Sequence, residues 1–342
     1  MPRFTLPSLL FPAALLGCSP VQSENESPPD SSAKITVKES PEGAVVTAGG
    51  QPFATYNLHE ANMPYLYPII GPTGKSMTRA WPMKDVEGEK QDHPHHRGLW
   101  FGHENIGGYD TWAEESSFKT PGKDGKVSEK SLERLKHLGK IQFRKFTQLK
   151  SGDKGVISAV SDYVDPEGKK LIEEHRTMTF SDEGDTRVID VDMEFVAAFG
   201  DVEIGDRKDA GLSIRVPHSM SVDAGEGGRV INSGGDTDKD AWAKRATWCD
   251  FNGPVEGETL GVAMLNHPSS LRHPTPWHAR TYGLFTANAF GLSGLELQEE
   301  DASFTLKEGD SFKLHHRFIF HKGDEKAAKI AEAFEAYAKE AR

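Results

Sequence analysis

Residues 187–195 read RVIDVDMEF, and this pattern indicates the fold class. Apolar and polar side chains alternate along it, which is typical of a β-strand with one buried and one solvent-facing side. The same alternation recurs in short segments at residues 34–38, 140–146, 155–160, 211–216 and 312–320. Turn-forming residues such as Pro-Glu-Gly at 166–168 lie between them. The pattern predicts an all-β protein built as a large antiparallel β-sandwich.

One segment near the C-terminus has a helical period instead. Apolar side chains recur there at helical spacing, namely Ala327, Ile330, Ala331, Phe334 and Ala338. This spacing predicts a helix over residues 325–341 that is capped by Asp324 and packs one face onto a sheet. Because neither an internal repeat nor a second linker is visible, residues 34–342 are predicted to form a single domain.

The N-terminus has the composition of an export signal. Residues 1–17 contain one cation and an apolar run that is shorter than the roughly 20 residues needed to span a bilayer. The sequence LLGC at 15–18 resembles a bacterial lipobox, in which Cys18 would carry the lipid; the alternative is an ordinary signal peptide with an incidental cysteine. Residues 18–33 are polar and predicted to form a disordered tether. We therefore expect a periplasmic or surface lipoprotein, held to the membrane by its lipid alone.

Composition excludes several classes of protein. Cys18 and Cys249 are the only cysteines, so a disulfide scaffold is excluded if Cys18 is lipidated. The chain has 40 Lys and Arg against 52 Asp and Glu, a net charge of −12, and contains no long basic run. Nucleic acid is therefore not an expected partner.

The segment DHPHHRGLWFGH at residues 92–103 contains four of the 14 histidines. Histidine titrates near neutrality and serves as acid, base or metal ligand. If residues 97–103 form a strand, His103 and Trp100 lie on opposite faces. His95 and His103 would then be about 26 Å apart at the rise of a strand, which is too far for one metal ion to bridge. A metal site would need ligands from elsewhere in the chain.

A second cluster lies far downstream in a proline-rich segment. It comprises His267, His273, Trp277, His278 and Arg280, with prolines at 268, 274 and 276. Because proline restricts the residue before it, this segment is predicted to be stiff. The indole of Trp277 could stack on a sugar ring while His and Arg bond hydroxyls or a carboxylate; the alternative is a braced surface loop with Trp277 buried. We expect the fold to bring both clusters to one water-accessible cleft.

The motif at residues 92–101 resembles the signature of the bacterial PmoA-like family. Residues 67–72, 241–248, 266–284 and 288–291 fit the same pattern, so that the resemblance covers about residues 50–322. One segment departs from it, because Asp209 and Ala210 stand where Glu and Gly are expected. The methane-oxygenase label often given to the family does not fit, since such a membrane subunit needs several long apolar spans. The resemblance instead implies a galactose-mutarotase-like supersandwich that acts on carbohydrate.

Three hypotheses from different classes follow. The first is an enzyme of epimerase, lyase or hydrolase type that acts on a carbohydrate or another small polar substrate. Its catalytic candidates are His95, His103, His278, Asp209 and Glu296. Its substrate-binding candidates are His93, His96, Arg97, Trp100, His267, His273, Trp277 and Arg280. Arg97 or Arg280 would hold an oxyanion or a uronate carboxylate.

The second hypothesis is a metal-dependent hydrolase or oxygenase with histidine ligands. No cofactor is firmly implied and no ligand set is assigned, but a divalent metal stays an open alternative. The third hypothesis is a non-catalytic sugar-binding module. A plainer interpretation is that the histidines are structural and bond backbone carbonyls.

Overall fold

The computed structural model describes residues 1–2, 33–119, 125–297 and 300–342. The predicted signal peptide, Cys18 and all but the last residue of the predicted tether therefore lie outside the described residues, apart from Met1 and Pro2. Within the described ranges, no helix is both long and apolar enough to cross a membrane.

Two eight-stranded antiparallel sheets make up most of the molecule. In spatial order, sheet I contains β1 (Ile35–Ser40), β2 (Gly43–Ala48), β3 (Gln51–Asn57), β4 (Tyr65–Ile69), β5 (Leu99–His103), β11 (Ala210–Arg215), β16 (Leu284–Ala287) and β15 (Trp277–Arg280). Sheet II contains β12 (Arg229–Asn232), β13 (Trp248–Val255), β14 (Glu258–Asn266), β18 (Ser311–Lys322), β9 (Thr186–Val196), β8 (Lys170–Asp182), β7 (Gly155–Val164) and β6 (Lys140–Lys150). A small third sheet pairs β10 (Val202–Ile204) with β17 (Phe304–Leu306).

The helices are short. They are α1 (Glu115–Phe118), α2 (Glu129–Leu135) and α3 (Ile330–Tyr337), together with 3₁₀ turns at His218–Met220, Val222–Ala224 and Asp238–Ala241. The sequence pattern did not predict α1 and α2, which lie between β5 and β6.

The main core lies between the two sheets. Aromatic rings from facing strands meet there, with centroids 5.6 Å apart for Phe53 and Phe180 and 4.9 Å apart for Phe101 and Phe195. Along β9, the alternate residues Ile189, Val191, Met193 and Phe195 are at most 1% exposed and belong to this core. The prediction of an all-β protein with large antiparallel sheets is therefore confirmed.

The predicted C-terminal helix is also confirmed, but it is shorter than residues 325–341. Lys329 has a left-handed backbone (φ 54°), which separates α3 from the turn before it. The Asp324 carboxylate accepts a hydrogen bond from the backbone N–H of Ala327 (2.8 Å), so it caps that turn. Ile330 and Tyr337 are fully buried in a second apolar cluster, on the outer face of sheet II.

A buried charged pair joins two strands of sheet II. His321 Nε2 on β18 and Asp250 Oδ2 on β13 are 2.7 Å apart, and both side chains are 0% exposed. Burial disfavours the imidazolium, but the charge and hydrogen bond of Asp250 outweigh it and raise the pKa of His321. The Asn252 amide donates to the other oxygen of Asp250 (2.7 Å), so both carboxylate oxygens accept a hydrogen bond.

Candidate functional site

The candidate site lies on the outer face of sheet I. Directly opposed residues of antiparallel strands share a face. The register places Trp100, Ser213, Thr286 and His278 in one row across β5, β11, β16 and β15. A second row contains Arg215, Leu284 and Arg280. Both rows alternate with inward residues such as Phe101 and Phe285, so they face away from the core.

The two histidine-rich segments meet on this face. The ring of His93 stacks on Tyr282, with centroids 5.2 Å apart and planes at 15°. Trp112 contacts both segments, since its ring centroid lies 5.9 Å from that of His96 and 6.1 Å from that of His278. We call this group the outer-face cluster and define it by Arg79, Asp92, His93, His95, His96, Trp112, Lys208, Asp209, Arg215, Trp242, His278, Arg280 and Tyr282.

Asp92 fastens the first segment to the sheet. One of its oxygens accepts from Arg79 Nη1 (2.5 Å) and Arg215 Nη2 (2.9 Å), and His93 Nδ1 lies 3.3 Å from the other. Burial opposes ionisation, but the hydrogen bond to His93 and the charges of Arg215 and Arg79 hold the pKa of Asp92 well below its usual range. The carboxylate is therefore ionised, and the loop that carries the histidines is held in place rather than free.

His95 and His96 are neutral imidazoles. Arg215 Nη1 lies 3.0 Å from His96 Nδ1, and because arginine can only donate, Nδ1 accepts and the ring proton is on Nε2. Burial, followed by the proximity of His95 and the charge of Arg215, lowers the pKa of His96. Burial, followed by the proximity of His93 and the charge of Arg79, lowers the pKa of His95 to about 3. His95 Nδ1 is also within 2.8 Å of the Ser117 hydroxyl on α1.

His278 has the geometry of a general base. Its Nδ1 lies 2.9 Å from the backbone carbonyl of Lys208, which can only accept, so the ring proton is on Nδ1 and Nε2 carries the lone pair. Burial lowers the pKa of His278 to about 4; Asp209, 3.7 Å from Nδ1, opposes this shift, while Arg280 adds to it. The imidazole is therefore neutral at neutral pH, in one tautomer.

The carbonyl that orients His278 is itself well anchored. Asn288 donates from Nδ2 to the carbonyls of Arg207 (3.0 Å) and Lys208 (2.8 Å). Asp206 accepts three backbone N–H bonds of 2.8–2.9 Å from the segment after β16. These buried polar side chains hold the 206–209 loop against β15, and so set the direction of the His278 ring.

Aromatic and cationic side chains form the rim of the cluster. The Arg280 guanidinium lies 4.6 Å from the ring centre of Trp242 and 5.7 Å from that of Tyr282. Arg215 approaches Tyr282 at 4.5 Å. Burial raises the pKa of Tyr282, whereas Arg215 and Arg280 lower it, and the net result is a protonated phenol. Arg280 is exposed and both aromatic rings are half-buried, so this part of the cluster can meet a ligand.

A second carboxylate lies beside Asp209. Burial, and then the charge of Asp209, raise the pKa of Glu104. Arg134 Nη2 donates to Glu104 (2.7 Å) and to Asp110 (2.8 Å), which fixes this acidic group at the end of β5. Neither Glu104 nor Arg134 was predicted from the sequence as a site residue.

His103 and Trp277 do not belong to the cluster, because strand alternation directs both side chains to the inner face of sheet I. His103 faces inward, is 0% exposed and packs on Phe290 at 4.8 Å. Trp277 is also 0% exposed, and its Nε1 donates to the Ala246 carbonyl (2.9 Å). Its predicted role in stacking on a sugar is therefore not supported, and the alternative with a buried indole fits. Trp100 is on the outer face but lies fully buried beneath His96 and Trp112, where it supports the cluster.

His267 and His273 lie outside the cluster, beside α3 on the outer face of sheet II. His267 Nε2 is 3.1 Å from the Glu340 carbonyl, and its ring lies 5.0 Å from Tyr337. His273 Nδ1 bonds Asn266 (2.8 Å). The proline-rich segment connects β14 of sheet II to β15 of sheet I, so its first half stays with sheet II and only its end reaches the outer-face cluster.

Arg97 and Glu296 also lie outside the cluster. Arg97 binds Glu114 through two hydrogen bonds (3.1 and 3.2 Å) and lines a separate cavity of about 600 Å³ next to α1. It thereby positions the segment that carries Trp112 and Ser117. Glu296 is exposed in a turn after β16 and makes no contact with the cluster in the described residues.

Two further expectations concern metal and cysteine. In the described ranges, no group of three or more His, Cys, Asp or Glu side chains is arranged to hold a metal ion. Cys249 is fully buried, and burial, followed by the charge of Asp250, raises the pKa of its thiol. The side chain therefore packs as an apolar residue, which agrees with the prediction that it is not a nucleophile.

Several residues of the cluster were missed from sequence. Arg215 could have been found as an arginine at an outward position of an alternating strand. Tyr282 could have been found because it lies two residues after Arg280, and residues two apart in an extended segment share a face. Trp242 lies in the segment 241–248, which only the resemblance to a family indicated. Trp112 lies in a segment without periodicity, so no local pattern could have identified it.

Fold and site together define an antiparallel β-sandwich protein with a cluster of histidine, arginine and aromatic side chains on one outer sheet face. The chain belongs to a family of unknown function, DUF6807, whose model matches residues 43–335. The resemblance to the PmoA-like family is therefore wrong, because the family that covers most of the chain is a different one. No curated protein shows significant sequence similarity to this chain.

Solved structures with a similar chain trace include sugar-active proteins. A galactose mutarotase-like protein from Clostridium acetobutylicum is 12% identical, with a TM-score of 0.43, and the match covers 86% of this chain and 100% of that one. A putative aldose 1-epimerase from Escherichia coli is 10% identical (TM-score 0.33; 84% and 98% covered). A GH36 α-galactosidase from Geobacillus stearothermophilus is 11% identical (TM-score 0.39; 85% of this chain covered), and this chain spans 41% of its length. Galactose mutarotase-like proteins are thus among the structural neighbours, but at these TM-scores the likeness carries no argument about function.

Proposed function

We propose that this protein is a carbohydrate-processing enzyme in which His278 removes a proton from the sugar. The observation that carries the proposal is the fixed tautomer of His278, whose Nε2 lone pair is free while Nδ1 is held by the Lys208 carbonyl. General bases work by this arrangement, in which one ring nitrogen is oriented and the other reacts. Asp209 lies 3.7 Å from Nδ1, where its charge stabilises the imidazolium that forms.

Tyr282 is the matching proton donor. Its pKa is raised by burial, so the phenol is protonated at neutral pH. Arg215 and Arg280 lie against its ring, and both cations would stabilise the phenolate left after proton donation. A base and an acid on one face support an epimerisation or an elimination. Glycoside hydrolysis is less well supported, because most such enzymes place two carboxyl groups on either side of the scissile bond.

The rim supports a sugar as the substrate. The partly exposed edges of Trp242 and Tyr282 give the rim apolar surface that can contact the C–H groups of a pyranose, and the neighbouring polar groups of Arg280 and Lys208 can bond its hydroxyls.

The test is a screen of mono- and oligosaccharides by NMR in heavy water. Enzymatic proton removal predicts exchange of one ring C–H for deuterium, together with an epimer or an unsaturated product. Sugars that bind without any chemical change would instead identify a non-catalytic binding module and overturn the proposal.

The pH dependence of kcat/KM offers a second check. His278 must be neutral to act as the base, and burial keeps its pKa at about 4, so activity should persist well below pH 6.5 and fall only as pH approaches about 4. The charged groups that face His278 are Asp209, Arg280 and Lys208. Asp209→Asn removes the charge that raises this pKa and should move the acid limb to still lower pH. A limb near 6.5, the value of an unperturbed imidazole, would contradict the assignment.

Export and lipid anchoring through Cys18 remain part of the proposal. Cys18→Ser should release the protein from the membrane fraction, because the lipid is the only anchor that we propose. Mass spectrometry of the N-terminal peptide provides the direct measurement, and recovery of the wild-type protein entirely in the soluble fraction would contradict this point.

A further inference from the structure

The outer-face cluster carries more positive than negative charge. Arg79 and Arg215 have side chains that are 1% exposed, yet they share one carboxylate, that of Asp92. Arg280 and Lys208 add two exposed cations, against Asp209 within the cluster, and the neighbouring Glu104 is paired with Arg134. The histidines His95, His96 and His278 are neutral and do not change this balance. The excess occurs in a chain whose net charge is −12, so it is a local property of this face.

Arg280 is held as an anion receptor. Its guanidinium lies between the faces of Trp242 and Tyr282, and no carboxylate in the described part of the chain forms an ion pair with it. Two other arginines have an internal acid, Glu114 for Arg97 and Asp190 for Arg317. One N–H of the stacked guanidinium is directed to the Tyr282 hydroxyl, and the others keep the planar fork that binds a carboxylate through two hydrogen bonds.

We propose that the ligand of this face is an acidic sugar, a uronate, whose carboxylate binds Arg280. This inference rests on the proposed function and names its substrate class. It also explains which proton His278 can remove. A neutralised carboxylate acidifies the neighbouring C–H, and when that bond breaks its electron pair moves into the carboxylate while Nε2 takes the proton.

Two outcomes of this step balance. Return of a proton to the opposite face of the same carbon gives the epimer. Alternatively, the electron pair forms a C=C bond, the C–O bond at the next carbon breaks, and Tyr282 protonates the departing oxygen. Both need only a base and an acid, which the outer-face cluster contains.

Calorimetric titration with matched sugars tests the proposal. The probes are galacturonate and glucuronate, their uncharged methyl esters, and galactose 6-sulfate. We expect the free acids to bind at least about tenfold more tightly than the esters, as for a bidentate charged contact, and this preference to shrink with added salt. Arg280→Gln should abolish the preference, because it weakens binding of the acids far more than binding of the esters. The exposed Lys154→Gln removes one positive charge elsewhere and is the control.

Arg280→Lys keeps the charge but not the planar fork, so it should retain only part of the preference. Thermal melting of each variant shows whether it is folded. Equal binding of acids and esters, tighter binding of the sulfate, or no binding of either acid would each overturn the proposal. Binding of a uronate without turnover would overturn the enzymatic function but not the recognition of an acidic sugar. Turnover of neutral sugars, without tighter binding of acids than of esters, would overturn the recognition of an acidic sugar but not the enzymatic function.

Discussion

Replacement of His278 by alanine is expected to lower kcat/KM by about 10²–10⁴-fold, the usual contribution of a positioned general base. The reason is that the Nε2 lone pair of His278 takes the proton. His96 is neutral as well, but its Nδ1 accepts from Arg215 and its Nε2 carries the proton, so it has no lone pair to offer. The measurement is steady-state kinetics on the substrate found by the NMR screen, with deuterium exchange followed in parallel.

Two further variants separate chemistry from folding. His278 is 3% exposed, and its loss leaves the Lys208 carbonyl without this donor, so some destabilisation is expected. His278→Gln keeps a donor for the carbonyl but supplies no basic nitrogen, and it should be as inactive as the alanine variant. The exposed His175, on β8 of sheet II, is the matched control, and His175→Gln should be fully active. Wild-type turnover by a folded His278→Gln protein would remove His278 from the mechanism.

Removal of Asp250 is expected to lower the free energy of unfolding by about 3–5 kcal/mol, because it leaves the partner of a buried charged pair without compensation. His321 cannot turn to solvent, since it is 0% exposed. Its ring lies against Gly261, where an added Cβ would come within 2.1 Å. Urea unfolding of Asp250→Ala against wild type gives the measurement.

The adjacent pair provides the control. Lys322 follows His321 on β18 and bonds Asp185 at 2.8 Å, but these side chains are 51% and 89% exposed. Asp185→Ala should therefore leave the free energy of unfolding nearly unchanged. The raised pKa of His321 also sets the sign of the pH effect: its contribution to stability is full below pH 6.5 and declines as pH rises through the raised value. Equal losses for the two variants would contradict this account.

Local alternation predicted much of the fold and part of the candidate site. The pattern at 187–195 is found in β9, and the helical spacing near the C-terminus is found in α3. His278 and Arg280 were singled out from sequence and do share the outer face. Trp277 was assigned to the same site, although the period of two that defines a strand already places it opposite His278.

Short segments of the chain carry the strand period, the C-terminal helix, and the residue types that can transfer protons or bind anions. Which of these segments meet follows from the packing of the folded chain. Asp92 and Arg215 are brought together because β5 pairs with β11, and His278 joins them because β16 and β15 continue the same sheet. Alternation depends on neighbouring residues in the chain, whereas strand order and register depend on contacts between distant segments, and a single sequence contains no direct record of those contacts.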